Sequence, residues 1–237
     1  MKVFDAILFD LDGTLIHMPQ ERFTRGTTEL MASVAAPQLG MGKEEFIRVL
    51  WKGFLSTIAN DGKKINSDVF FDATLRDFGG DREKVERCFD AYYRNEFDIL
   101  KSITTENKDV QRVMREAHRV AEYVILATLP VFPTVAQKTR LGWIGLTIDD
   151  FDLVTDLANA HFCKPSPAYY REILDRFDLR PERTMMVGND VSDDILPTLS
   201  LGMQSYLVTD YLLNGDLDAP GARKSSFVAF ADYLQSL

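Results

Sequence analysis

Five aspartates, one lysine and two threonines stand just beyond segments that read as β-strands or between them. Asp10, Asp12, Gly13 and Thr14 follow the apolar run 3–9, and Thr128 and Leu129 follow 123–127. Gly188, Asn189, Asp190, Asp193 and Asp194 follow 184–187, and Lys164 with Pro165 lies between the last two strands. Ligands of open α/β sheets bind beyond the carboxyl ends of the strands, so these side chains are expected to converge on one edge. Carboxylates gathered there repel one another and raise one another's pKa unless a cation intervenes. An all-oxygen set suits Mg²⁺, which keeps several waters and takes few carboxylates together with a substrate phosphate. The Thr128 hydroxyl, the Lys164 ammonium and main-chain N–H groups supply donors for phosphate oxygens. Charge neutralisation and in-line positioning are what phosphoryl transfer needs most.

The elements that must position these groups alternate. The run 3–9 is almost continuously apolar, the pattern of a strand buried on both faces. Residues 123–127, 151–154, 184–187 and 204–208 read as further strands. Val110, Val113, Ala117 and Val120 line one face of a helix. Residues 167–177 form another, with Ser166 as N-cap and Pro167 at the first helical position, and 193–201 a third. Strands alternating with helices predict an α/β core, a doubly wound, Rossmann-like parallel sheet. From about residue 21 to 100 the pattern is helical instead. Phe46, Val49, Leu50, Phe54 and Ile58 recur at helical spacing, as do Val85, Cys88, Phe89 and Tyr92. Turn signals at Asn60-Asp61-Gly62 and Gly79-Gly80-Asp81 separate the helices. A lone first strand cannot stand, so it belongs with the later sheet, and the helical stretch is an inserted α-helical cap domain. The expected division is 1–17 plus 104–237 for the core and 18–103 for the cap.

The 237 residues fit a core with a smaller inserted module. A hydrophobic content of 46% argues against disorder. The net charge of −9 argues against general nucleic-acid binding, so an anionic substrate must be drawn by local charge. Cys88 and Cys163 lack metal-site spacing and read as reduced thiols of a cytoplasmic protein. No apolar run approaches the roughly 20 residues of a membrane span. The expected partner is a small phosphorylated metabolite, not nucleic acid or membrane, and the chain is expected to be a monomer or homodimer.

Asp10-Leu11-Asp12-Gly13-Thr14 resembles the first motif of the haloacid dehalogenase superfamily. Thr128 resembles the second motif, Lys164-Pro165 the third, and the stretch from Gly188 to Asp194 the fourth, in matching order and spacing. The resemblance implies a Mg²⁺-dependent phosphatase that hydrolyses a small phosphate monoester through an aspartyl-phosphate. Asp10 would attack phosphorus. Asp12 would protonate the leaving oxygen and then activate water, with its main-chain carbonyl touching Mg²⁺. Gly13, Thr128, the Leu129 N–H and Lys164 would surround the phosphate on Asp10. The metal shell would comprise Asp10, Asp12 and either Asp190 or Asn189. Asp194 would be a further acidic partner, of the metal through water or of Lys164. The fourth motif often begins Gly-Asp; Gly188-Asn189-Asp190 allows two frames, and charge favours Asp190.

Other readings share parts of this pattern. A phosphomutase resembling β-phosphoglucomutase carries all four motifs. Dehalogenases lack the second aspartate, which Asp12 supplies. A phosphonatase-like enzyme needs a cap lysine for a Schiff base, and a non-catalytic binding protein is expected to have lost Asp10 or Asp12. Asp193 reads as an acidic residue favoured at a helix start, and Cys163 as a small buried residue. His17, His118 and His161 have no partner pattern. Trp51, Phe54, Phe70 and Phe71 read as packing within the cap, and Arg22, Arg25, Lys52, Lys63 and Lys64 mostly as a solvated face.

Overall fold

The computed structural model describes residues 2–237. Its centre is a six-stranded sheet in which every pairing is parallel. The strands are β1 (Phe4–Phe9), β2 (Ala121–Leu126), β3 (Leu153–Val154), β4 (Thr184–Gly188), β5 (Gln204–Val208) and β6 (Arg223–Ser225), in the order β3-β2-β1-β4-β5-β6. β1 is central because both of its faces are apolar. Ile7 and Phe9 join Val124, Leu126, Met185 and Val187 on one side; Ala6 and Leu8 join Ile125 and Met186 on the other. Ile7 lies opposite both Val124 and Met185, which brings the ends of β1, β2 and β4 level. Residues that leave these strands therefore emerge together at one edge, where the strand order turns.

Between β1 and β2 the chain forms α1 (Gln20–Leu39), α2 (Lys43–Ile58), α3 (Asn66–Thr74), α4 (Arg82–Asn95) and a 3₁₀ stretch, Phe97–Ile103. After them come α5 (Val110–Val120), α6 (Thr134–Trp143), α7 (Pro167–Arg176), α8 (Leu196–Ser200) and α9 (Phe227–Ser236). α9, which no motif announced, buries Phe227, Phe230, Ala231 and Leu234 at helical spacing and packs beside α5 on the Ile7 face. α7 covers the other face with Tyr169, Tyr170, Ile173 and Leu174. The inserted helices rest on α6 through aromatic contacts: Phe23 and Phe97 both pack on Trp143, with ring centroids 6.2 and 5.6 Å away. The chain leaves and re-enters the sheet side by side, the Thr105 N–H donating to the His17 carbonyl at 2.8 Å. Among the described residues no helix is long and apolar enough to cross a membrane.

Three further elements differ from the sequence expectation. The strand expected at 151–154 is only Leu153–Val154, because the Asp152 carboxylate takes the Val124 N–H at 2.8 Å. The helix expected over 193–201 is a single π turn, Val191–Ile195, followed by α8 with Pro197 in its first turn. β6 carries Arg223 and Lys224 at the sheet edge and has no apolar pattern to read.

Candidate active site

The strand ends and the loop before α7 enclose one pocket. It is lined by Asp10, Asp12, Thr128, Leu129, Lys164, Asn189, Asp190, Asp193 and Asp194, together with Gln20 of α1 and Leu213. Asp10 continues β1 by one residue, its N–H donating to Val187 O at 2.9 Å. Lys164, 2% exposed, donates to Asp10 Oδ1 and to Asp194 Oδ1, both at 2.7 Å. Burial alone would lower the Lys164 pKa; Asp10 and Asp194 together outweigh it and hold the ammonium well above its ordinary value. Asp194 Oδ2 accepts the Asp190 N–H at 3.1 Å, so both of its oxygens are engaged by protein donors. Of the two roles expected for Asp194, the geometry carries the partnership with Lys164.

The loop after Asp10 is tight. Ile16 N–H donates to Leu11 O and Gly13 N–H to Ile16 O, both at 2.8 Å, while the N–H groups of Leu11 and Asp12 find no acceptor among the described residues. Gly13 has φ of +90°, and a Cβ there would lie 2.3 Å from Asn189 Nδ2. With its N–H given to Ile16, Gly13 shapes the loop by its missing side chain. Thr128 is held through its carbonyl, which accepts from Tyr169 Oη at 2.8 Å and Thr155 Oγ1 at 3.1 Å. Neither its hydroxyl nor the Leu129 N–H has a partner among the described residues. Four donors thus remain available to an oxyanion beside Asp10.

The fourth-motif residues divide. Asn189, 2% exposed, accepts from Thr14 Oγ1 at 3.2 Å and donates to Tyr211 O at 2.6 Å. Asp190 Oδ1 caps the π turn, accepting from Ser192 N, Ser192 Oγ, Asp193 N and Asn214 Nδ2. Asp193 lines the pocket instead of only starting a helix; burial, then the charge of Asp190, raises its pKa above the usual carboxylate range. No group of three or more His, Cys, Asp or Glu side chains among the described residues forms a ready-made cation cage. The donor set is nevertheless all oxygen, and Mg²⁺ takes only one or two protein carboxylates when phosphate and water complete its shell.

Residues 4–197 match the family model described as haloacid dehalogenase-like hydrolase. The chain belongs to that family. Among curated relatives, the pyrophosphatase PpaX of Bacillus cereus is 26% identical over 195 residues, covering 80% of this chain and 76% of its own. Two solved structures share the fold. The phosphatase from Thermococcus onnurineus has a TM-score of 0.57 at 22% identity, covering 99% of this chain and 98% of its own. The 2-haloacid dehalogenase from Pseudomonas syringae has a TM-score of 0.64 at 19% identity, with 98% of each chain covered.

This haloacid dehalogenase-like hydrolase also has a site residue that sequence reasoning missed. Arg140 of α6 is fully buried; its Nη1 donates to Asp12 Oδ2 and its Nη2 to Gln137 Oε1. Its guanidinium carbon lies 4.4 Å from the centroid of Phe132. Burial pushes Asp12 up to about 6, against the pull of Arg140 and with a further push from the Asp10 charge. The available signal was weak: an arginine three residues after a glutamine on the helix that follows Thr128. The aromatic residues of the inserted helices also separate. Phe70 and Phe71 are buried as expected, but Trp51 is 37% exposed, and Trp51 and Phe54 line a cavity that reaches Asp12. Lys52, Lys63 and Lys64 pair with surface aspartates away from the pocket, and Arg22 and Arg25 are exposed.

Proposed function

We propose that this hydrolase is a Mg²⁺-dependent phosphatase that cleaves a small phosphate monoester through an aspartyl-phosphate on Asp10. The observation that carries the reading is a pair of aspartates in one pocket, each held by its own cation: Asp10 accepts from Lys164 at 2.7 Å and Asp12 from the buried Arg140, which leaves Asp12 Oδ1 unpartnered among the described residues. A carboxylate fixed beside an ammonium, with a second one next to it that keeps a free oxygen, suits a nucleophile beside an acid–base group.

The N–H groups of Leu11, Asp12 and Leu129 and the Thr128 hydroxyl would receive the phosphate oxygens, and Lys164 would balance their charge. Asp10 would attack in line with the departing oxygen. Asp12 would give that oxygen a proton, then take one from the water that hydrolyses the aspartyl-phosphate. Arg140 would keep the Asp12 carboxylate aimed at the ester through both steps. Mg²⁺, when bound, would neutralise phosphate charge; Asp10, the Asp12 carbonyl and either Asp190 or Asn189 would hold it. Residues 18–103 would act as a cap that excludes water from the pocket. The buried, unpaired Cys88 and Cys163 suit a reducing compartment, so the cytoplasm is the proposed setting. The Pseudomonas relative is a dehalogenase by name, yet Asp12 and its arginine favour a reaction that needs leaving-group protonation.

The test is hydrolysis of para-nitrophenyl phosphate with Mg²⁺ and with EDTA, by wild type and Asp10→Asn. Turnover is expected only with both Mg²⁺ and Asp10. Undiminished activity of folded Asp10→Asn would overturn the nucleophile assignment.

A further inference from the structure

Past Gln20 and Leu129 the phosphate pocket adjoins a second cavity of about 170 Å³, enclosed by α1, α2 and the loop after β2. Cavities of ~150 Å³ with apolar walls accept a benzene ring. The walls here are largely Phe23, Trp51, Phe54, Ile58 and Phe132, and among the described residues the only ionisable side chain on them is Asp12. Farther out, the vestibule holds one cation, the exposed Arg25, together with Glu21 and Glu29. Arg140, behind Phe132, is committed to Asp12 and Gln137, and no cation among the described residues lines the cavity itself, so a carboxylate or second phosphate on the leaving group would be a costly burial.

The polar part of the wall is specific. Gln20, Phe23, Thr24, Thr27 and Thr28 fall at i, i+3, i+4, i+7 and i+8 and share one face of α1. Thr28 is satisfied, its hydroxyl donating to Thr24 O at 2.8 Å. Asp12 Oδ1, Gln20 Oε1 and Thr27 Oγ1 are buried with no hydrogen-bond partner among the described residues, and all three residues line this cavity. Thr27 is 4% exposed and Asp12 9%. Buried acceptors of this kind call for a donor, and a hydroxyl on the ligand supplies one.

Building on the phosphatase reading above, we infer that the substrate is the phosphate monoester of an uncharged alcohol with a ring-sized apolar body and a hydroxyl close to the ester. The body lies among Phe23, Trp51, Phe54 and Phe132, and the hydroxyl exchanges a hydrogen bond with Thr27 Oγ1. An Asp10 oxygen bonds to phosphorus as the P–O bond to the alcohol breaks, and Asp12 supplies the proton to the departing oxygen; water then cleaves the aspartyl-phosphate and returns a proton to Asp12, so that a neutral alcohol and inorganic phosphate leave.

Phosphate release with Mg²⁺ is measured for acetyl phosphate, benzyl phosphate, 2-hydroxybenzyl phosphate, phosphoglycolate and pyrophosphate, using wild type, Thr27→Val, Thr24→Lys and Asp10→Asn. Wild-type kcat/KM for benzyl phosphate is expected to exceed that for phosphoglycolate or pyrophosphate by roughly 100-fold, and the added hydroxyl to bring roughly tenfold more. Thr27→Val should erase the hydroxyl advantage, and Thr24→Lys should narrow the gap to the anionic esters by about tenfold. Acetyl phosphate, whose leaving group needs no pocket, reports the chemistry alone. Asp10-dependent turnover of acetyl phosphate with equal or better use of the anionic esters overturns the substrate class and leaves the phosphatase standing. No Asp10-dependent turnover of any of the five overturns both.

Discussion

The two cavities that meet at Asp12 are built on different principles. In the phosphate pocket most of the charged groups are already paired: Lys164 with Asp10 and Asp194, Asp12 with Arg140, and Asp190 with the donors of its turn. In the adjoining cavity the walls are mostly apolar and three polar atoms remain unpaired. The first arrangement is preorganised for charge that appears during reaction, so little reorganises when phosphate arrives. The second is finished only by a ligand. On the proposed reading, chemistry is fixed by short motifs at strand ends, while selectivity rests on helix faces brought together from distant parts of the chain.

That contrast breaks most visibly at Lys164. Lys164→Met leaves Asp10 and Asp194 facing each other, buried and unneutralised. Removing one partner of a buried ionic group costs about 3–5 kcal/mol. Turnover should fall by roughly three orders of magnitude, the scale seen when one electrostatic donor is removed from a catalytic site. Denaturant melts together with phosphate release check both figures. A stable, active Lys164→Met would mean that the pocket does not depend on prior pairing.

Arg140→Met tests the boundary between the two cavities. Asp12 is less enclosed than Asp194, and methionine can fill the space against Phe132, so a stability loss of about 2–3 kcal/mol is expected. The kinetic effect should be larger for esters with poor leaving groups than for para-nitrophenyl phosphate, whose departing oxygen needs little protonation. Equal losses for both would assign Arg140 to general packing. Gly13→Ala should cost about 1–3 kcal/mol, since φ of +90° disfavours any side chain and the new Cβ would meet Asn189. Its activity should drop with its stability, as the same loop carries the free N–H groups of Leu11 and Asp12.

The sequence made the first cavity legible because strands buried on both faces announce themselves as apolar runs, and ligand groups cluster at their carboxyl ends. Asp10 and Thr128 needed only that rule, whereas Lys164, in the loop before α7, also needed the order of the motifs around it. Arg140 was illegible because an arginine on a helix ordinarily faces water; only the fold turns it inward, where Phe132 and Asp12 receive it. Gln20 and Thr27 carry no signal in the sequence, and Trp51 reads as packing, since what they face comes from the loop after β2, about a hundred residues away. The π turn escaped notice because its residues suit a helix start equally well. β6 escaped because pairing with β5, not side-chain pattern, makes it a strand.

The smallest expected effect sharpens the comparison by placing the same chemistry in water. Asp5, at the opposite end of β1 from the site, accepts from Arg180 Nε at 2.7 Å and Nη2 at 2.8 Å, and from Arg183 Nε at 2.8 Å. The hydrogen bond from Arg180, the largest influence, and that from Arg183 hold its carboxyl well below the ordinary range despite some desolvation. Because the folded state binds this proton less tightly than the unfolded chain, the pair stabilises the fold above the ordinary carboxylate pKa near 4. That contribution declines as pH falls toward the depressed folded value. With Arg180 60% exposed, solvent screening limits Asp5→Asn to about 1 kcal/mol at pH 7, or roughly 2–4 °C in Tm for a chain of this size. Melting wild type and Asp5→Asn between pH 7 and pH 3 should show the gap closing toward the acid end, with turnover of the two proteins equal at pH 7. A gap that widened in acid would reverse the assigned sign, and one as large as that of Arg140→Met would remove the distinction between buried and exposed pairs.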